Sequence, residues 1–173
     1  MGRSIDALAV GKVIGDVVDP FIPAAKISLH FGSKQVANGC DIIPSLAAHR
    51  PLLRLLPTTS NYIINATNLY TLVRIHISIK MVVDIPEGCD ASEGREVVSY
   101  TGPNPATGIH RYVFVAFKQR ERGRGGVVEV EAEERRANFN TRQFASKHAL
   151  ALPVAAIYFN SQKEAKTRTC RRR

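Results

Sequence analysis

Leu69-Tyr70-Thr71-Leu72-Val73-Arg74-Ile75-His76-Ile77-Ser78-Ile79-Lys80-Met81-Val82-Val83-Asp84-Ile85 is the passage on which the fold turns. Within it Val73, Ile75, Ile77, Ile79 and Met81 alternate with Arg74, His76, Ser78 and Lys80. A period of two is the signature of a strand with one buried and one wet face, because successive side chains leave a strand on opposite sides. Taken alone, the alternation describes one long strand.

Outward from this passage, short runs lie between frequent turn signals. Lys26 to Phe31 alternates polar and apolar residues, as a half-buried strand does. Asn38-Gly39 marks a hairpin or tight turn, since both residues tolerate positive φ. Pro44, Pro51 and Pro57 exclude a long helix between them. Val97 to Tyr100 reads as a strand leading into the stiff loop Gly102-Pro103-Asn104-Pro105. Tyr112 to Phe117 is apolar throughout, as expected of a central strand covered on both faces. Residues 118–136 mix Arg and Glu with glycines and bury little, which predicts an exposed loop. A helix is expected from Thr141 to His148, capped by Asn140 or Thr141, with Phe144 and Ala145 inward. Leu152-Pro153 opens a last strand, Val154 to Phe159. The expected class is mainly β.

Composition narrows the function classes. A chain of 173 residues fits one domain and buries a core without staples. Cys40, Cys89 and Cys170 are widely spaced and odd in number, which favours reduced thiols in the cytoplasm or nucleus. No basic segment followed by a long apolar stretch opens the sequence, so no secretory signal is read. Of the net charge of +9, the stretch from Lys163 onward carries +5. That gives a domain over residues 1–162, with an atypical 57–81 region, followed by a basic tail at 163–173. The tail reads as a solvated segment, and the alternative is a nucleic-acid or membrane-surface binder working through it.

Gly108-Ile109-His110-Arg111-Tyr112 is the cluster best suited to chemistry. A proline-stiffened loop leads into glycine and then presents an imidazole, a guanidinium and a phenol at a strand start. Arg offers forked donors and His a donor or acceptor near neutral pH, which together suit a phosphate or carboxylate. With Gly102 and Pro103 of the preceding loop, His110, Arg111 and Tyr112 form the expected ligand site. Catalysis is not expected. No GxSxG is present, the three cysteines lie in no catalytic setting, and the five histidines are scattered, so neither a catalytic residue nor a metal or cofactor site is assigned.

At Gly108-Ile109-His110-Arg111 the chain resembles the phosphatidylethanolamine-binding protein family, whose plant members carry a GxHR motif between a proline-rich loop and an apolar strand. Val13 to Phe21, Asn38-Gly39-Cys40, Pro44-Ser45, Leu69 to Val73, Val82 to Pro86, Asn138 to Ala145 and Leu152 to Asn160 follow the family in order. Asn38-Gly39-Cys40, Gln162-Lys163-Glu164 and the terminal arginines look most like its MOTHER OF FT branch, a relative of the FLOWERING LOCUS T and TERMINAL FLOWER proteins. The resemblance implies a large antiparallel sheet packed on a smaller one, with small C-terminal helices. It also implies a pocket for phosphate or a phospholipid head group, and a regulatory role in flowering or seed germination through 14-3-3 proteins and bZIP transcription factors.

The departures carry their own expectations. Between Leu72-Val73 and Val82-Val83 the family has an Asp-Pro-Asp-x-Pro loop and a His-Trp segment; here only Arg74 to Met81 fills the interval. The pocket is therefore expected to be impaired, with His110 its remnant, His76 a poor substitute, and Arg111 short of an acidic partner. Pro57 to Thr67 looks like an insertion. The family topology divides 69–85 into two strands, and two pairing strands with a short irregular connection is the reading adopted. Pro86 and Arg122 fall at positions used for 14-3-3 contact, whereas Thr67 and Glu93 replace its basic and aromatic positions. A further alternative is an unstable product of an incorrect gene model.

Overall fold

The computed structural model describes residues 2–58, 68–75, 80–119 and 139–164. The chain opens with helix α1 (Gly2–Val10) and a kinked turn, α2 (Val13–Asp16). Strand β1 (Ala25–Phe31) turns through Gly32 and Ser33 into β2 (Lys34–Gln35), and β3 (Cys40–Asp41) follows. Then come β4 (Leu52–Pro57), β5 (Leu69–Ile75), β6 (Lys80–Pro86), a 3-10 turn at Ala91–Glu93, β7 (Arg95–Val98) and β8 (Ile109–Lys118). Helix α3 (Thr141–Lys147) and β9 (Pro153–Gln162) complete the series.

The strands form a three-stranded sheet, β2-β1-β4, and a six-stranded sheet, β3-β9-β8-β5-β6-β7. Pairing is antiparallel except where the short β3 runs parallel to β9. Strand β8 lies inside the large sheet, and its two sets of side chains enter different cores. Tyr112, Phe114 and Ala116 join Ile27, Leu29, Phe31, Leu53 and Leu55 between the sheets. Val113, Val115 and Phe117 join Leu8, Val13, Val18, Phe21 and Phe144 on the other side. A strand covered on both faces needs no polar alternation, which is why Tyr112 to Phe117 is continuously apolar.

The passage 69–85 is two strands. Val73 pairs with Met81 and Arg74 with Lys80, so β5 and β6 are antiparallel neighbours. Their register shifts between Tyr70 and Leu72, opposite a segment in which Asp84 takes φ 59°. That extra residue forms a bulge and lets Val82 and Ile85 reach the same core. The expected connection at 76–79, with His76, lies outside the described residues, as do Thr67, Arg122, most of the 57–67 insertion and of the charged 118–136 stretch, and the tail from residue 165.

The alternation misleads at one position. Arg74, expected on a wet face, is 1% exposed. Both faces of β5 are covered, Val73 belonging to the α3 side and Tyr70 and Leu72 to the inter-sheet core, and Arg74 shares the parity of the latter. Asn38-Gly39 is a tight turn, with Gly39 at φ 79°, and the hairpin of this region is the one at Gly32. Cys40 and Cys89 are free thiols. The helix at 141–147 forms as expected: the Asn140 Oδ1 accepts from the Arg142 and Gln143 amides, both at 3.1 Å, and Phe144 is buried. Beyond β9, the Glu164 carboxylate accepts from the Ser45 amide at 3.3 Å and from its hydroxyl.

Helix α1 is held by a close approach that only glycine permits. A Cβ on Gly11 would stand 2.3 Å from the Tyr158 ring, and one on Gly39 2.9 Å from the same hydroxyl. Tyr158 thus lies against both glycines. Gly11→Ala should destabilise the domain by about 1–3 kcal/mol, the range for overpacking a filled site. Urea unfolding measures this, and an unchanged midpoint would show that α1 does not dock on Tyr158.

Candidate functional site

The parity of β8 divides the expected site between two faces. His110 and Tyr112 lie on the inter-sheet side, and Arg111 points to the opposite one. There the Arg111 guanidinium donates to the Gly11 carbonyl and, at 3.2 Å, to the Asp16 carboxylate. Arg111 therefore has an acidic partner, from the N-terminal segment, and does not depend on a pocket loop for one. Its neighbour in this role is Arg142, which donates to Asp19 at 2.7 Å and to the Gly15 carbonyl. Two arginines from distant parts of the chain hold the 11–19 segment over the sheet.

On the inter-sheet side the dominant group is Arg74. Its Nη1 donates to the Thr101 carbonyl at 2.6 Å, and its guanidinium carbon lies 4.9 Å from the Tyr100 ring centre and 5.7 Å from that of Tyr112. Two aromatic faces and a carbonyl dipole offset part of what it costs to bury this cation. Burial holds the guanidinium below its ordinary pKa, and the nearby phenol oxygens of Tyr100 and Tyr112 oppose that shift.

The loop 99–105 closes over Arg74 because it is fixed at several points. Tyr100 donates its hydroxyl to the Ala47 carbonyl at 2.8 Å. Gly102 passes so close to the 47–48 backbone that a Cβ would lie 2.8 Å from the Ala47 oxygen. Pro103 and Pro105 are buried. Gly102 and Pro103 thus act here by bringing the loop against its neighbour. His110 is half-buried, and its Nε2 donates to the Thr107 carbonyl at 2.7 Å, which turns the ring toward its own loop. Tyr112 stacks on Phe159, with ring centres 5.3 Å apart and planes 11° apart.

The structure joins Tyr112 to Arg74, Tyr100, Thr101 and Asn104, which sequence reading had not assigned, while Gly102 and Pro103 belong to the same loop and His110 bonds to the Thr107 carbonyl. Arg74 is thus a buried cation answered by two aromatic rings and a loop carbonyl. Among the described residues no group of three His, Cys, Asp or Glu side chains gathers as a metal site would require. The signal for Arg74 lay in the sequence as a charged residue directly following Leu72-Val73, in a strand flanked by two buried strands.

Burial is the largest influence on both phenols. It pushes the Tyr100 hydroxyl up to about 12, against the pull of the Arg74 charge. It also raises Tyr112, opposed by a hydrogen bond from the Asn104 backbone and by Arg74. Both folded values lie above the usual value of 10. The neutral phenols therefore contribute fully below about pH 10, and stability falls as pH rises from there toward 12. Absorbance titration of the five tyrosines should show a phase near pH 12 that Tyr100→Phe removes. Persistence of that phase in the variant would contradict the burial of Tyr100 against Arg74.

A family model described as phosphatidylethanolamine-binding protein matches residues 59–159. The chain is 41% identical to Protein MOTHER of FT and TFL1 homolog 2 of Oryza sativa subsp. japonica, over 95% of this chain and 97% of that protein. It is 37% identical to Protein TERMINAL FLOWER 1 of Arabidopsis thaliana, over 96% of each. Among solved structures, a carboxypeptidase Y inhibitor, crystallised with its cognate proteinase, superposes with a TM-score of 0.76 at 20% identity, covering 94% of this chain and 96% of that one. At that identity the match speaks for the fold alone.

Proposed function

The chain belongs to the phosphatidylethanolamine-binding protein family, and we propose that it acts there as a non-catalytic regulatory binding protein of plant developmental signalling, in seed germination or flowering. The observation that carries this reading is the similarity to the rice protein, which runs through 95% of the chain. It works in the cytoplasm and nucleus, and no helix among the described residues is long and apolar enough to cross a membrane. Residues 163–173 serve as a basic tail to the domain at 1–162.

The ligand of this reading is phosphate or a phospholipid head group, held at the 101–112 edge by His110, Tyr112 and the Gly102-Pro103 loop. Compared with the family pattern the pocket is altered: no Asp-Pro-Asp loop or His-Trp segment occurs in the sequence, and Arg74 is buried behind Tyr112. A pocket that trades carboxylates for a guanidinium favours the bare anion over a head group that also carries an ammonium. The 14-3-3 and bZIP partnership is the protein-binding side of the reading. Pro86 is half-buried at the end of β6, and Glu93 is exposed where a basic or aromatic residue would serve better.

Inorganic phosphate titrated into the chain and followed by phosphorus NMR tests the pocket. His110→Ala should weaken binding roughly tenfold, the worth of one charge-assisted hydrogen bond. Arg111→Met, on the other face, should leave it unchanged. An equal loss in both variants would place the anion elsewhere. Plants lacking the chain should germinate or flower on an altered schedule, and unaltered timing of both would refute the developmental role.

A further inference from the structure

A hollow of about 320 Å³ opens where the N-terminal segment, the end of β8, α3 and the start of β9 meet. Its walls are Val17, Val18, Phe117, Leu150, Leu152 and Pro153. Val18 and Phe117 are buried in the core on the α3 side, and Val17 and Leu150 pack against that same core at half-burial. Leu152, 59% exposed, stands at the lip. The hollow offers room for an apolar group and few polar partners. Asp19 and Arg142, its charged residues, are committed to each other at 2.7 Å, and the Thr141 hydroxyl is closed to solvent. A small polar molecule would lack the convergent donors and acceptors that orient ligands in such sites. An apolar cavity of about 150 Å³ already holds a benzene, so a branched aliphatic side chain fits here with space left.

Beside this hollow stands a knob of matching chemistry. Ile22 is 90% exposed, the most exposed large apolar side chain among the described residues. It follows Asp19, which lines the hollow, by three residues. It precedes Ala24, whose amide donates to the Val154 carbonyl at 3.0 Å, next to Pro153 of the lining. Three residues span at most about 11 Å, so knob and hollow are close neighbours. An apolar knob next to an apolar hollow is self-complementary under a two-fold axis, because each copy's knob can enter the other's hollow. The rim suits the same arrangement. Asp19 and Arg142 supply one charge of each sign, so a two-fold mate can set its arginine against this aspartate.

We propose that this surface is a contact between two copies of the chain, in which Ile22 of each copy fills the hollow at Val17, Phe117 and Leu150 of the other. The contact is independent of the 101–112 edge and of any ligand there. Sedimentation velocity of the full chain, from micromolar to millimolar concentration, tests it. The mass should rise from one chain and level at two. Two chains of net charge +9 repel through a screened field, so the dimer should tighten as salt is added. A single-chain mass throughout, growth past two, or loosening with salt would each overturn the assignment.

Two variants separate knob from hollow. Ile22→Ser changes a side chain that touches little in the single chain, and it should raise the dissociation constant roughly 100-fold, since two isoleucines per dimer lose their burial. Ser146 lines the hollow yet is exposed, so Ser146→Trp fills the space from the helix surface and should weaken the dimer about equally. The two variants complement each other. The first keeps an open hollow and the second keeps the knob, so their mixture restores one of the two contacts. That mixture should associate roughly tenfold more tightly than either variant alone. Unchanged association in Ile22→Ser, or no gain on mixing, would show that the copies do not meet through this knob and hollow.

Discussion

The burial of the Arg74 guanidinium is the constraint around which this end of the molecule is organised. Removing a cation from water costs on the order of several kcal/mol, so the surroundings must answer its charge. Here the geometry is specific: one ring at 4.9 Å, a second at 5.7 Å, and the Thr101 carbonyl at 2.6 Å. Each partner carries a further commitment. Tyr100 is tied to Ala47, Thr101 precedes the glycine that touches the 47–48 backbone, and Tyr112 is stacked on Phe159. The loop 99–105 thus becomes part of the sheet's packing, and the edge that holds His110 and Tyr112 gains a fixed shape.

A second constraint is the two-sidedness of β8. Adjacent residues on a strand face opposite ways, so His110-Arg111-Tyr112 cannot converge on one ligand whatever its chemistry suggests. Arg111 is used instead to hold the N-terminal segment, together with Arg142, through Asp16 and Asp19. The pairs are partly exposed, and their contribution is correspondingly modest. Their effect is to fix direction: they lay the 11–19 segment across the sheet, while Gly11 against Tyr158 seats the end of α1.

Much of this was legible from residues. The strand patterns at 26–31 and 112–117 and the Asn140-capped helix follow from periodicity and capping, whereas the division of 69–85 came from the family resemblance against an alternation that describes one long strand. What escaped did so for identifiable reasons. Arg74 looked like a solvated position because alternation reports a period and not which face is covered; the covering of β5 is supplied by strands and a loop distant in sequence. Helix α1 is short, and its burial rests on Leu8 and the contact with Tyr158, both tertiary. The separation of Arg111 from His110 was available from strand parity alone, once the motif was placed inside β8.

The most direct test is the state of the Arg74 side chain in solution. Nitrogen-15 NMR in water should show one arginine side-chain N–H set protected from solvent exchange and shifted by the Tyr100 and Tyr112 rings, and Arg74→Lys should remove it. The tyrosine ring signals should move in the same variant. If every arginine exchanged at the solvent rate, and Arg74→Lys left both tyrosines unmoved, the guanidinium would not be buried between them and this account of the site would fall.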